Sequence, residues 1–95
     1  MDANPPQIVQ RTLTSVAANV RRIRTQRDLT QEQLAELAGV EPRTIQHLET
    51  GAANPTVGLV ATVAAALGVS ASTLLRPAKL RPRPVGRPRR RQTAR

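Results

Sequence analysis

The stretch Thr30-Gln31-Glu32-Gln33-Leu34-Ala35-Glu36-Leu37-Ala38-Gly39-Val40-Glu41-Pro42-Arg43-Thr44-Ile45-Gln46-His47-Leu48-Glu49-Thr50-Gly51 decides the fold. Thr30 is a favourable N-cap, and Gln33, three residues on, completes a capping box. Leu34, Leu37 and Ala38 give a helix opened there its buried stripe. Gly39 follows the last helical residue, where a left-handed conformation ends a helix at no steric cost. Pro42 suits the first turn of a second helix, since its missing N–H has no intrahelical partner there. Ile45 and Leu48 turn inwards, and Gly51 closes this second helix.

Two short helices joined by about three residues around Gly39 form a helix-turn-helix unit. Ala35 must be small because the second helix crosses close to it. The outward face of that helix is then Pro42, Arg43, Gln46, His47 and Thr50. Arg, Gln and His side chains can form hydrogen bonds with base edges in a DNA major groove.

Working outwards, Val16, Val20, Ile23 and Arg27 recur at helical spacing, and Val9 and Leu13 extend the stripe backwards. Pro5 and Pro6 fit a first turn, so helix 1 can begin well before Ser15. Asp28 tolerates the turn needed on leaving it. Asn54-Pro55 marks a turn. Thr56 caps helix 4, with Val57, Val60, Val63, Ala64 and Leu67 as its apolar residues and Gly68 as its stop. Ser70 caps a short helix 5 ending at Leu74 and Leu75. No stretch alternates with period two, so the expected class is all-α: a five-helix bundle without a sheet. Three segments are expected: an N-terminal arm over 1–14 that can extend helix 1, a domain over 15–75, and a disordered basic tail over 76–95.

The chain has 95 residues, enough for one domain. It carries 15 Lys and Arg against 6 Asp and Glu, a formal net charge of +9, with no aromatic residue and no cysteine. Disulfides, thiolate metal sites, a cysteine nucleophile and base stacking on aromatic rings are thereby excluded. No apolar run approaches the roughly 18–20 residues of a membrane span. Residues 1–14 lack a basic start and an apolar block, so a cytoplasmic location is expected. With a single histidine, His47, no metal or cofactor is expected. No carboxylate pair, Gly-rich phosphate loop or nucleophile–base set suggests an enzyme.

The charge is uneven. Residues 15–75 balance five arginines against five carboxylates, whereas residues 76–95 hold eight Arg and Lys79 with no acid. Pro77, Pro82, Pro84 and Pro88 add to a composition too poor in apolar residues to offset ordering entropy. Such a segment expects a polyanionic partner, nucleic acid first.

At Thr30–Val40, Thr44-Ile45, Leu48-Glu49 and Gly51 the chain resembles the phage repressor/Cro-type (XRE-like) DNA-binding family. The likeness continues through Asn54-Pro55-Thr56 and Leu67–Ser70, and backwards through Val20, Arg21, Ile23, Arg24 and Leu29. It covers about 15–75. The resemblance implies a repressor-like five-helix bundle that binds double-stranded operator DNA as a homodimer and regulates transcription. It places Gln31 on a backbone phosphate, Arg43, Gln46 and His47 near base edges, and Thr44 near the backbone. It pairs Arg24 of helix 1 with Glu49. Pro42 departs from the family, standing where a polar base reader is common; it can offer only a thymine-methyl contact. Ala52 and Ala53 replace the usual phosphate-binding Lys or Arg. Gly58 and Leu59 stand where an exposed charged pair is usual in helix 4. Leu59, Leu75 and the apolar helix 4 suggest a dimer face.

In the tail, Arg81, Arg83, Arg87, Arg89, Arg90 and Arg91 are candidate DNA contacts. Gly86-Arg87-Pro88 resembles the core of an AT-hook, with Val85 where its first arginine would stand; the other reading is a polybasic segment indifferent to sequence. The expected function is a sequence-specific repressor or autoregulator, associated with the nucleoid. Two alternatives are an antitoxin-type protein that also binds its own promoter, and an architectural, largely non-specific DNA binder.

Overall fold

The computed structural model describes residues 4–80. Five helices follow in order: α1 Pro5–Gln26, α2 Gln31–Ala38, α3 Pro42–Leu48, α4 Val57–Leu67 and α5 Ala71–Leu75. No strand occurs among the described residues.

Capping chemistry sets most of the boundaries. Thr30 Oγ1 accepts from the Gln33 amide at 3.0 Å, and Gln33 Oε1 accepts from the Thr30 amide at 2.8 Å. Thr56 and Ser70 cap α4 and α5 through their hydroxyls. Each such cap contributes about 1 kcal/mol. A second capping box, between Asn4 and Gln7, opens α1. The arm over 5–14 is therefore the first half of one continuous 22-residue helix. Asp28 takes φ +56° in the turn after α1, and Gly39 takes φ +71° between α2 and α3.

The core is aliphatic. Val16, Val20 and Ile23 of α1 meet Leu34 and Ala35, Ile45 and Leu48, and Val60, Val63, Ala64, Leu67 and Leu74. Two residues expected inside lie outside. Leu37 is 60% exposed. Ala35, not Leu37, faces the neighbouring helices, and this shifts the centre of the buried stripe by roughly half of one residue's rotation on the helix. Val57, the first residue of α4, is 84% exposed.

After α5 the chain does not leave the bundle at Arg76. It returns along α1: the amide of Ala78 donates to Ser15 Oγ at 3.0 Å, and Asn19 Nδ2 donates to the carbonyls of Leu74 and Arg76 at 3.0 and 2.9 Å. Arg76 and Ala78 are thus hydrogen-bonded to α1.

Candidate nucleic-acid interface

Gly39 lets α3 start one tight turn after α2 ends. The Val40 amide bonds the Ala35 carbonyl at 3.0 Å, which satisfies the end of α2. Ala35 is buried where the two helices cross, so a larger side chain there would separate them. Ile45 and Leu48 then point into the core, and Pro42, Arg43, Gln46, His47 and Thr50 are all exposed. Thr44 is half-buried at the edge of this face. A shallow cleft runs beside it, lined by Arg43, His47, Asn54, Pro55 and Leu59 among others. Leu59 is half-buried beside this face and packs against the core.

Glu49, 2% exposed, fixes α3 to the rest of the bundle. Arg24 Nε reaches its Oε2 at 2.6 Å and Arg24 Nη2 its Oε1 at 3.0 Å, while Arg24 Nη1 donates to the Leu29 carbonyl at 2.6 Å. A bidentate guanidinium–carboxylate pair is rigid as well as attractive. Gln31 Nε2 donates to the same Oε1 at 3.0 Å. Arg21 Nη2 donates to the Glu49 carbonyl at 3.3 Å. One carboxylate thereby ties α1, the start of α2 and the end of α3 together, and the exposed face of α3 is held in one orientation.

The HTH_3 helix-turn-helix family model matches residues 20–74. The chain belongs to this family of DNA-binding transcription regulators. It is 39% identical over 62 residues to the HTH-type transcriptional regulator y4dJ of Sinorhizobium fredii, covering 65% of this chain and 80% of that protein. Among solved structures, the hypothetical transcription factor NHTF from Neisseria aligns with a TM-score of 0.69 at 31% identity, over 81% of this chain and 87% of that one. The restriction-modification controller protein C.AhdI from Aeromonas hydrophila aligns with a TM-score of 0.63 at 29% identity, over 65% of this chain and 94% of that one. Hydroxypropylphosphonic acid epoxidase from S. wedmorenis also contains this bundle, but the chain spans only 37% of that enzyme.

Within the HTH_3 frame, the exposed face of α3 is the candidate interface, and several side chains stand where the sequence alone did not put them. Gln31, expected on a backbone phosphate, is half-buried, and its Nε2 donates to Glu49. Arg21 is half-buried and reaches the end of α3. Ser15 and Asn19 went unnoticed; both are buried polar residues on α1 that hold residues 74–78. Their signal was present as a polar pair, four residues apart, interrupting the apolar stripe of helix 1. Arg81, Arg83, Arg87, Arg89, Arg90 and Arg91, with the AT-hook-like segment, lie outside the described residues.

Proposed function

We propose that this protein is a sequence-specific repressor or autoregulator that binds a near-palindromic operator as a homodimer. The observation that carries this reading is the pairing of an exposed Arg43, Gln46 and His47 face with a buried Glu49 network directly behind it. Arg43 matches the O6 and N7 acceptors of guanine, Gln46 the N6 and N7 groups of adenine, and His47 can donate to either purine N7. Pro42 contributes apolar contact with a thymine methyl. Thr44 at the edge of the face, and the amides at the start of α2 beside Gln31, take phosphates. The role is binding, not catalysis, and the site of action is nucleoid DNA in the cytoplasm.

In vitro selection of bound DNA tests the reading, because it reports base preference and half-site spacing together. Two half-sites about one helical turn apart, ~34 Å, are expected. A single unrepeated element would contradict the dimer. On the selected site, Arg43→Ala should cost ~1–3 kcal/mol per lost bidentate contact and relax preference at one base position in each half-site. Gln31→Ala should weaken all sequences alike. A matrix of both variants against single-base changes separates the two roles; uniform weakening by Arg43→Ala would remove Arg43 as a base reader.

The dimer contact proposed is the apolar face of Ile8, Val9, Val57 and Leu75, which are exposed and line a groove of about 300 Å³ with no charged residue in its lining. A chain of net charge +9 meets a second copy with least repulsion at an uncharged surface. A two-fold axis beside Val57 sets each protruding valine in the groove of the other copy, an isologous contact. Val57→Glu should weaken the dimer on the order of 100-fold by burying an unpaired carboxylate. Sedimentation across a concentration series reads this directly, and an unchanged dimer would place the contact elsewhere.

A further inference from the structure

Ser15 and Asn19 are 5% and 3% exposed, and with Glu49 they are the buried polar residues among those described. Buried polar groups are retained where they are satisfied. Ser15 and the side-chain amide nitrogen of Asn19 bond the backbone at the end of α5 and just beyond it, while Asn19 Oδ1 accepts from Arg22 Nη2 at 3.2 Å. Ser15 Oγ accepts from the Ala78 amide at 3.0 Å and stands 3.3 Å from the Ala78 carbonyl; Asn19 Nδ2 holds the carbonyls of Leu74 and Arg76. The spacing is matched. Four residues of helix rise about 6 Å, and two residues of extended chain advance about 6.6 Å. Positions 76 and 78 therefore register on Asn19 and Ser15 as the chain runs antiparallel to α1.

The registered segment leads to the end of the reading helix. Gly51, buried and at φ +82°, lies in the turn just after α3. A Cβ placed there would stand 3.4 Å from Leu80 Cδ2 and 3.8 Å from the Cα of Thr14. Leu80 thus rests beside Gly51, one residue from the exposed Thr50. The clefts on either side of the segment are lined by Arg11, Arg21, Arg22 and Lys79 with no carboxylate. Beyond Leu80 come fifteen residues with seven arginines and no acid. Fully extended they reach at most about 50 Å, or about one and a half turns of duplex.

We infer that residues 76–80 form a fixed strap that launches the arginine segment along the DNA backbone at one flank of the α3 contact, with Ser15 and Asn19 as its positioning residues. The occupant is the phosphate backbone of the same duplex that α3 reads, so the inference rests on the DNA-binding reading above. A fixed exit point raises the local concentration of arginines at one flank relative to the other. A loosely attached tail would sample both.

The chain has no cysteine, so single-cysteine variants of the full-length protein carry a DNA-cleaving iron chelate without interference. Thr50→Cys and Pro84→Cys are each coupled and bound to the selected duplex. Thr50→Cys should cut inside each half-site, and Pro84→Cys should cut the adjoining positions on one flank. Ala78→Pro removes the strap's donor to Ser15 from outside the core. It should lower the flank preference of Pro84→Cys cutting by about threefold or more, and leave Thr50→Cys cutting in place. Ser15→Ala should do the same, with circular dichroism read on both samples; if Ser15→Ala loses its helices, Ala78→Pro decides. Equal cutting of both flanks by Pro84→Cys with the strap intact would overturn the inference. So would a one-sided pattern that persists when the strap is released. Absence of Thr50→Cys cuts would overturn the α3 reading itself, and with it the claim that the segment starts beside the reading helix.

Discussion

Glu49→Ala is expected to cost about 3–5 kcal/mol, the range for removing one partner of a buried ion pair. The substitution strands the Arg24 guanidinium, whose side chain is only 14% exposed, and leaves Gln31 Nε2 without its acceptor. A small domain has only about 5–15 kcal/mol in total, so much of the population should unfold at modest denaturant. Urea melts followed by circular dichroism measure the loss. A second variant separates stranded charge from lost tethering: Arg24→Met combined with Glu49→Met removes both charges and should recover part of the cost. A single-variant loss below about 1 kcal/mol would mean that the pair behaves like a solvated surface bridge. The two methionines should restore stability better than they restore discrimination between DNA sequences, because apolar packing does not fix the angle of α3 as a bidentate pair does.

The helical frame was largely legible because its signals are local. Thr30 with Gln33, Gly39, Pro42, Thr56 and Ser70 are capping and turn residues whose effect needs no tertiary information. The faces of the helices were less so. Leu37 and Val57 satisfy an apolar periodicity yet are exposed, since periodicity fixes angle around a helix but not whether a neighbour stands opposite. The path of the chain after α5 was not legible for a related reason. Pro77 and Lys79 have the composition of a tail, but Ser15 and Asn19, some sixty residues earlier, supply the bonds that hold residues 76–78. Such long-range satisfaction of buried polar groups has no local signature beyond a polar pair in an apolar stripe. On α3, the exposure of Arg43, Gln46 and His47 could be placed from helical spacing alone. The engagement of Gln31 and Arg21 with Glu49 could not, because it depends on where the ends of three helices converge.

Replacing Arg81, Arg83, Arg87, Arg89, Arg90 and Arg91 with glutamine in the full chain is expected to cut affinity for all DNA by orders of magnitude. Ala52 and Ala53 leave the loop after α3 without the cations that could grip phosphate, and residues 15–75 are charge-balanced. The expected loss follows if the tail carries the electrostatic share of binding, as the charge distribution implies. Each phosphate contact contributes about 0.9 to the slope of log affinity against log salt. Six lost contacts would remove roughly a thousandfold of the change seen between about 50 and 200 mM salt. The strap and the cations beside it, Lys79 and Arg22, remain in this variant and keep a residual slope. Stability should be unaffected, since the substituted positions lie past the strap.

The central claim is a division of labour in which α3 discriminates between sequences and the arginine segment holds the duplex. Dissociation constants for the selected site and for random DNA, at several salt concentrations, with and without the six arginines, test it most directly. The predicted result is a much shallower salt dependence for both DNAs in the substituted protein, with the ratio of selected to random affinity at fixed salt nearly unchanged. A salt slope that stays the same without those arginines would contradict the account and assign the phosphate contacts to cations of the folded domain instead.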